Sequence, residues 1–228
     1  MPSPCIVQNV TYPTYKEDFP MKLTSQSFEQ GAPIPGEFAF AVQDAENHLA
    51  LSSNKNPHLS WSEVPAATRS LVLLCVDPHA PSTLDNVNQE GKEVAASVPR
   101  VNFFHWVLVD IPAQVREIAA GSHSDGITPR GKAPLSAEAG IRHGINDYTA
   151  WFKDDEQMSG DYYGYDGPCP PWNDTLAHDY TFTLYALDIP SLELQGKFDG
   201  PTVLSAIAGH ILAEASLTGT YSLNPDVR

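Results

Sequence analysis

Three apolar runs in this chain each end on a proline, and that pairing restricts the fold more than any other feature. Leu71-Val72-Leu73-Leu74-Cys75-Val76 stops at Asp77-Pro78, Phe103 to Asp110 is closed by Ile111-Pro112, and Tyr180 to Asp188 is stopped at Pro190. Proline has no N–H for a β-ladder, so each run reads as a short strand with a sharp end. The first run is apolar at every position, as expected of a strand buried between two layers. With 20 prolines and 15 glycines spread along 228 residues, the fold class expected is mainly β.

Lys22 to Phe28, Pro57 to Trp61 and Gly219 to Leu223 read as shorter strands. One amphipathic helix is predicted near 201–215. Asp199-Gly200-Pro201 supplies a cap and an early proline, and Val203, Leu204, Ile207, Ala208, Ile211, Leu212 and Ala215 form one apolar stripe. Residues 1–20 read as an extended arm and 21–228 as a single domain carrying polar insertions near 82–100, 120–140 and 149–162. Loops of that length are more often functional than inert.

A net charge of -15 opposes nucleic acid and anionic membrane surfaces, though not a single small anion. The longest apolar run is too short to span a bilayer, and residues 1–10 lack a signal-peptide pattern. Three scattered cysteines form no disulfide framework, so a reduced, cytoplasmic protein is expected. His105, His178, Asp77 and Cys169 are zinc-competent residue types, but no closely spaced ligand pair occurs and no metal is expected. Nucleophile-elbow, dinucleotide and P-loop motifs are all missing, and no cofactor is expected.

The chemistry-bearing residues sit at strand ends. Residues two apart on a strand share a face, which pairs His178 with Tyr180, sets Asp77 beside Cys75, and groups His105 with Val107 and Val109. The dense Gly164-Tyr165-Asp166-Gly167-Pro168-Cys169-Pro170-Pro171 segment is expected to be a rigid loop beside His178 and Tyr180. Asp77, His105 and His178 are thereby expected to meet above an apolar core.

These motifs, with Asp77-Pro78-His79-Ala80-Pro81, His105-Trp106-Val107-Leu108-Val109-Asp110, Asn146-Asp147-Tyr148 and His178-Asp179-Tyr180 in order, resemble the phosphatidylethanolamine-binding protein family. The likeness is to its bacterial and archaeal branch, often labelled Raf-kinase-inhibitor-like, and it covers most of residues 21–223. It implies an antiparallel β-sandwich with short flanking helices and a small anion pocket built from Asp77, Pro81, His105, Cys169, Pro170, His178 and Tyr180. The family's usual Asp-Pro-Asp-Ala-Pro carries His79 here in place of its second acid, which implies a less negative rim or an altered hydrogen-bond network.

The function this implies is binding of a small anion or phospholipid head group, similar to phosphorylethanolamine. Two histidines would donate ring N–H groups and Asp77 would favour an imidazolium. Regulation of a kinase or protease partner, and a homodimer, are compatible with the resemblance. The competing reading is an enzyme using His105, His178 and Asp77 with Tyr180 for acid–base chemistry.

Overall fold

The computed structural model describes residues 20–134 and 140–227; nearly all of the expected arm over residues 1–20 lies outside them. In chain order the described strands and α-helices are β1 (Lys22–Thr24), β2 (Ala41–Asp44), β3 (His48–Leu51), β4 (Leu59–Ser62), β5 (Ser70–Pro81), β6 (Arg100–Pro112), β7 (Glu117–Ile118), β8 (Arg142–His143), α1 (Tyr148–Trp151), β9 (His178–Leu187), α2 (Gly200–Ile207) and β10 (Ile211–Tyr221).

The three proline-stopped runs become β5, β6 and β9, neighbours in a five-stranded antiparallel sheet of order β10-β9-β5-β6-β8. The central strand, β5, has two-sided apolar character because both its faces are covered. Leu71, Leu73 and Cys75 pack in one core with Leu59, Trp61 and Ile118 of the smaller β1-β4-β7 sheet. Val72 and Leu74 pack in the opposite core with Leu192, Phe198, Val203 and Ile207, the last two from α2. At about 1.5–3 kcal/mol per buried aliphatic side chain, this two-sided burial is a principal stabilising term. The result is the mainly β, antiparallel architecture that the sequence predicted, with short helices at its flanks.

The predicted helix is present but shorter than the apolar stripe suggested. Asp199 caps it by accepting from the Thr202 N–H at 2.9 Å, and α2 ends at Ile207. Gly209 then takes a left-handed φ of +86°, and Ile211 onward pairs with β9 as an edge strand. Ala213, Ala215 and Leu217 alternate with Glu214, Ser216 and Thr218, a two-residue period that wins over the helical one. The closing strand therefore begins at Ile211 rather than Gly219.

A second departure lies in β6. Its pairing with β5 runs Cys75↔Trp106 and then Val76↔Phe104, so His105 is an extra residue, a β-bulge. Trp106 and Leu108 consequently join the core of Leu73 and Cys75, while Phe104, Val107 and Val109 face the α2 side. Simple alternation grouped His105 with Val107 and Val109. The bulge turns it instead toward Tyr180, whose ring centroid lies 5.0 Å away.

Candidate functional site

A cavity of about 230 Å³ opens where β5, β6 and β9 end together. All seven residues singled out in the sequence line it: Asp77 and Pro81 from β5, His105 from β6, Cys169 and Pro170 from the Gly/Pro loop, and His178 and Tyr180 from β9. For Asp77, His178 and Tyr180 the strand pattern explains the placement. His105 reaches the same hollow only through the bulge.

The loop is held by hydrogen bonds as well as by its prolines. The Tyr165 hydroxyl donates to the Phe38 carbonyl at 2.7 Å, and the Phe40 N–H donates to the Pro168 carbonyl at 2.9 Å. The buried Asp166 carboxylate accepts from Asn54, Asn146 and Lys132 at 2.6–2.8 Å. Gly167 approaches so closely that a Cβ there would sit 2.2 Å from the Phe38 oxygen, so no other residue fits without moving the backbone.

At the floor, His178 donates from both ring nitrogens: Nδ1 to Asp77 Oδ2 at 2.7 Å and Nε2 to Asp174 Oδ2 at 3.0 Å. Both partners are carboxylates, which only accept, so both nitrogens carry hydrogens. Burial alone would lower the pKa of this ring, but the bonds to Asp174 and Asp77 outweigh it and raise it to about 9. Asp174 is held in turn by Arg100, whose Nη1 and Nη2 donate to its two oxygens at 2.6 and 3.1 Å. Burial opposes the charge of Asp174, yet these donors keep its carboxyl below the usual carboxylate range. Two carboxylates and two cations thus form a neutral, closed cluster.

This closure corrects the expectation that His178 offers a ring N–H to a ligand, since both are committed to protein. The second histidine differs. His105 Nδ1 lies 2.7 Å from the Asp166 carbonyl oxygen, so that nitrogen carries the hydrogen, and no described residue bonds Nε2. Burial lowers the pKa of His105 more than Asp77 raises it, leaving a neutral ring whose Nε2 is an acceptor. The Tyr180 hydroxyl is buried with no hydrogen-bond partner among the described residues. Cys169 is a free thiol whose pKa burial pushes up to about 12, so it is a neutral wall rather than a nucleophile. His105 Nε2 and the Tyr180 hydroxyl are thus the floor groups with no hydrogen-bond partner among the described residues.

His79 is not part of the wall. Its Nδ1 accepts from the Asp179 N–H at 3.1 Å, and its own N–H donates to Asp77 Oδ1 at 2.7 Å. His79 therefore belongs to the hydrogen-bond network behind the floor.

Above the floor the lining is apolar. Phe40, Leu49, Leu51, Phe103, Trp151 and Phe152 surround the mouth. Leu51 and Trp151 are 63% and 44% exposed, so both offer apolar surface at the mouth. Residues of two expected insertions reach this rim, Asn88 from 82–100 and Trp151 with Phe152 from 149–162. Within 120–140, Lys132 instead supports Asp166.

Sequence reasoning missed Asp174, Arg100 and the Asp166 carbonyl. Asp174 stands in an irregular segment four residues before His178, where no periodicity signals orientation; an acid near a histidine was the only clue. Among the described residues, no group of three or more His, Cys, Asp or Glu side chains is arranged to hold a metal ion. No helix among them is long and apolar enough to cross a membrane.

Comparison with known proteins agrees with this fold. Residues 24–222 match the family model described as phosphatidylethanolamine-binding protein. The UPF0098 protein YbhB of Escherichia coli K12 is 29% identical over 89% of this chain and 100% of its own length. A UPF0098 protein of Methanothermobacter thermautotrophicus is 32% identical over 88% of this chain and 98% of its own. The crystal structure of CT736 from Chlamydia trachomatis superposes with a TM-score of 0.59 at 28% identity, covering 89% of this chain and 97% of that one.

Proposed function

The chain belongs to the phosphatidylethanolamine-binding protein family, in its bacterial and archaeal branch, and from that premise we propose that its cavity binds the phosphorylated head group of a small amphiphile. One observation carries the reading: a polar floor holding a Tyr180 hydroxyl with no partner among the described residues lies beneath an apolar collar that includes the exposed Leu51 and Trp151. A buried hydroxyl without a partner costs about 1–3 kcal/mol, and a ligand oxygen recovers it. Burying an alkyl chain against the collar adds about 0.8 kcal/mol per methylene. The preformed loop at Gly167–Pro171 lowers the ordering cost of binding.

The floor cluster sums to zero charge, so attraction for an anion comes from hydrogen bonds rather than from a positive field. That suits a protein with an overall charge of -15. Isothermal titration with phosphorylethanolamine and with hexyl phosphate tests the reading. Saturable one-to-one binding is expected for both, tighter for hexyl phosphate. Absence of binding to both between pH 6 and 8 would end it.

A further inference from the structure

The hydrogen-bonding capacity of the floor restricts the ligand further. Asp77 already accepts from His178 and from the His79 N–H, and as a carboxylate it has only acceptor capacity left. His105 gives its one ring hydrogen to the Asp166 carbonyl, so Nε2 is also an acceptor. At the floor, the Tyr180 hydroxyl is the one side-chain O–H or N–H donor that we find unengaged among the described residues; the side-chain N–H groups of Asn88 and Trp151 belong to the rim above it. Two acceptors and one hydroxyl make a poor seat for an anion whose oxygens all lack hydrogens. They suit an oxyanion that still carries one.

We infer that the site selects a weak-acid oxyanion, a phosphomonoester in its singly protonated form, whose P–OH hydrogen is held at His105 Nε2 while Tyr180 donates to a neighbouring phosphoryl oxygen. This rests on the head-group reading and narrows it. A strong-acid anion of equal shape, such as a sulfate ester, has no hydrogen to offer and sets bare oxygens against two acceptors. The complex therefore takes up one proton whenever the free ligand is a dianion. Whether that proton lies nearer phosphate or imidazole, the count is the same.

The groups around His105 set the sign of the pH dependence. Asp77 of β5 and Asp166 of the loop favour a proton on the ring, while His178 of β9 and burial oppose it. Tyr180 of β9 and Tyr148 of α1 pack edge-on against it, and both are pushed well above the usual tyrosine range by burial, so they stay neutral. The only changing partner is the ligand, whose second ionisation falls near pH 6. Affinity then falls about tenfold per pH unit once free ligand and free His105 are both deprotonated.

The test compares phosphorylethanolamine with 2-aminoethyl sulfate, which has the same skeleton without the acidic hydrogen. Titrations at pH 6, 7 and 8 in buffers of different ionisation enthalpy read the affinity and the protons taken up. At pH 6 the sulfate should bind weaker by on the order of 100-fold or more, as for a site built around a hydrogen bond its ligand cannot make. Uptake should approach one proton per phosphorylethanolamine bound at pH 8. In a folded His105→Gln variant, whose amide can offer N–H to the ligand, the preference should shrink and the pH slope flatten. Sulfate affinity within threefold of the phosphate, or no proton uptake, overturns the inference and leaves head-group binding standing. If phosphorylethanolamine fails to bind at any pH, both readings fall. The wild-type comparison decides even if His105→Gln does not fold.

Discussion

His178 Nδ1 donates to Asp77 Oδ2 at 2.7 Å, a bond between β9 and β5 that joins residues 101 positions apart. Asp174 takes the opposite nitrogen at 3.0 Å, so the ring is clamped between two carboxylates as a cation. The histidine that the sequence marked as a ligand donor is thus part of the scaffold that holds Asp77 in place. In the head-group reading proposed above, ligand contact passes to His105 and Tyr180.

The clamp makes stability depend on alkaline pH. The folded pKa of His178 is raised to about 9 from the unfolded 6.5. Its contribution is therefore complete below about pH 6.5 and is lost as pH rises through 9. Integrated, the effect is of the order of 3 kcal/mol. Urea unfolding of the wild type at pH 6, 7.5 and 9.5 should show this decline, and His178→Gln should show much less of it. Parallel pH profiles for the two proteins would contradict the clamp.

Asp174→Asn removes the anion that both Arg100 and His178 use, leaving a mostly buried guanidinium without a counter-charge. Breaking such a pair from one side costs about 3–5 kcal/mol. Chemical denaturation should report that loss, and NMR titration should show the His178 pKa falling. A loss under 1 kcal/mol with an unmoved His178 would refute the assignment.

Tyr180→Phe should separate function from stability. The change removes a buried hydroxyl that has no partner among the described residues, so unfolding free energy should stay level or rise slightly. Affinity for phosphorylethanolamine should fall by about tenfold or more, the worth of one hydrogen bond to a charged group. Calorimetry and thermal melts on the same sample read both quantities. A stability loss with unchanged affinity would place the hydroxyl in the core.

Gly167→Ala should disturb the loop through space rather than dihedral strain. The added methyl would stand 2.2 Å from the Phe38 oxygen. Displacing that backbone also strains the Phe40–Pro168 hydrogen bond, so a loss of about 1–3 kcal/mol is expected together with weakened ligand binding. Wild-type melting temperature and affinity in this variant would show that the close approach relaxes at little cost.

Trp151→Ala should act on the tail of the ligand alone. Trp151 lines the mouth and is 44% exposed, so its truncation leaves the floor intact. Hexyl phosphate should lose about fivefold or more in affinity, a methylene or two of lost burial, while phosphorylethanolamine changes little. Equal losses for both would move the residue's role from collar to scaffold.

Local pattern located most of the site because it depends on short-range geometry. His178 and Tyr180 share a face through strand periodicity, and Asp77 follows from where Pro78 interrupts its run. The α2 boundary was harder, since Ile211 and Ala215 suit a helical stripe and a strand face equally until Gly209 turns the chain out of the helix. His105 was placed with the wrong neighbours because a bulge is a property of two paired strands and leaves no mark on one.

The sequence by itself determined, through its proline-stopped apolar strands, a mainly β fold, and through strand periodicity that Asp77, His178 and Tyr180 would point to one place; Pro81, Cys169 and Pro170 came from the family resemblance. Only the tertiary structure decided what each of them does. Asp77 and Asp174 saturate His178 while Arg100 holds Asp174, the Asp166 carbonyl orients His105, and the Tyr180 hydroxyl has no partner among the described residues. Hydrogen-bond capacity explains the division. Periodicity states where a side chain points, but whether its donors and acceptors are already engaged depends on segments that meet only when the chain has folded.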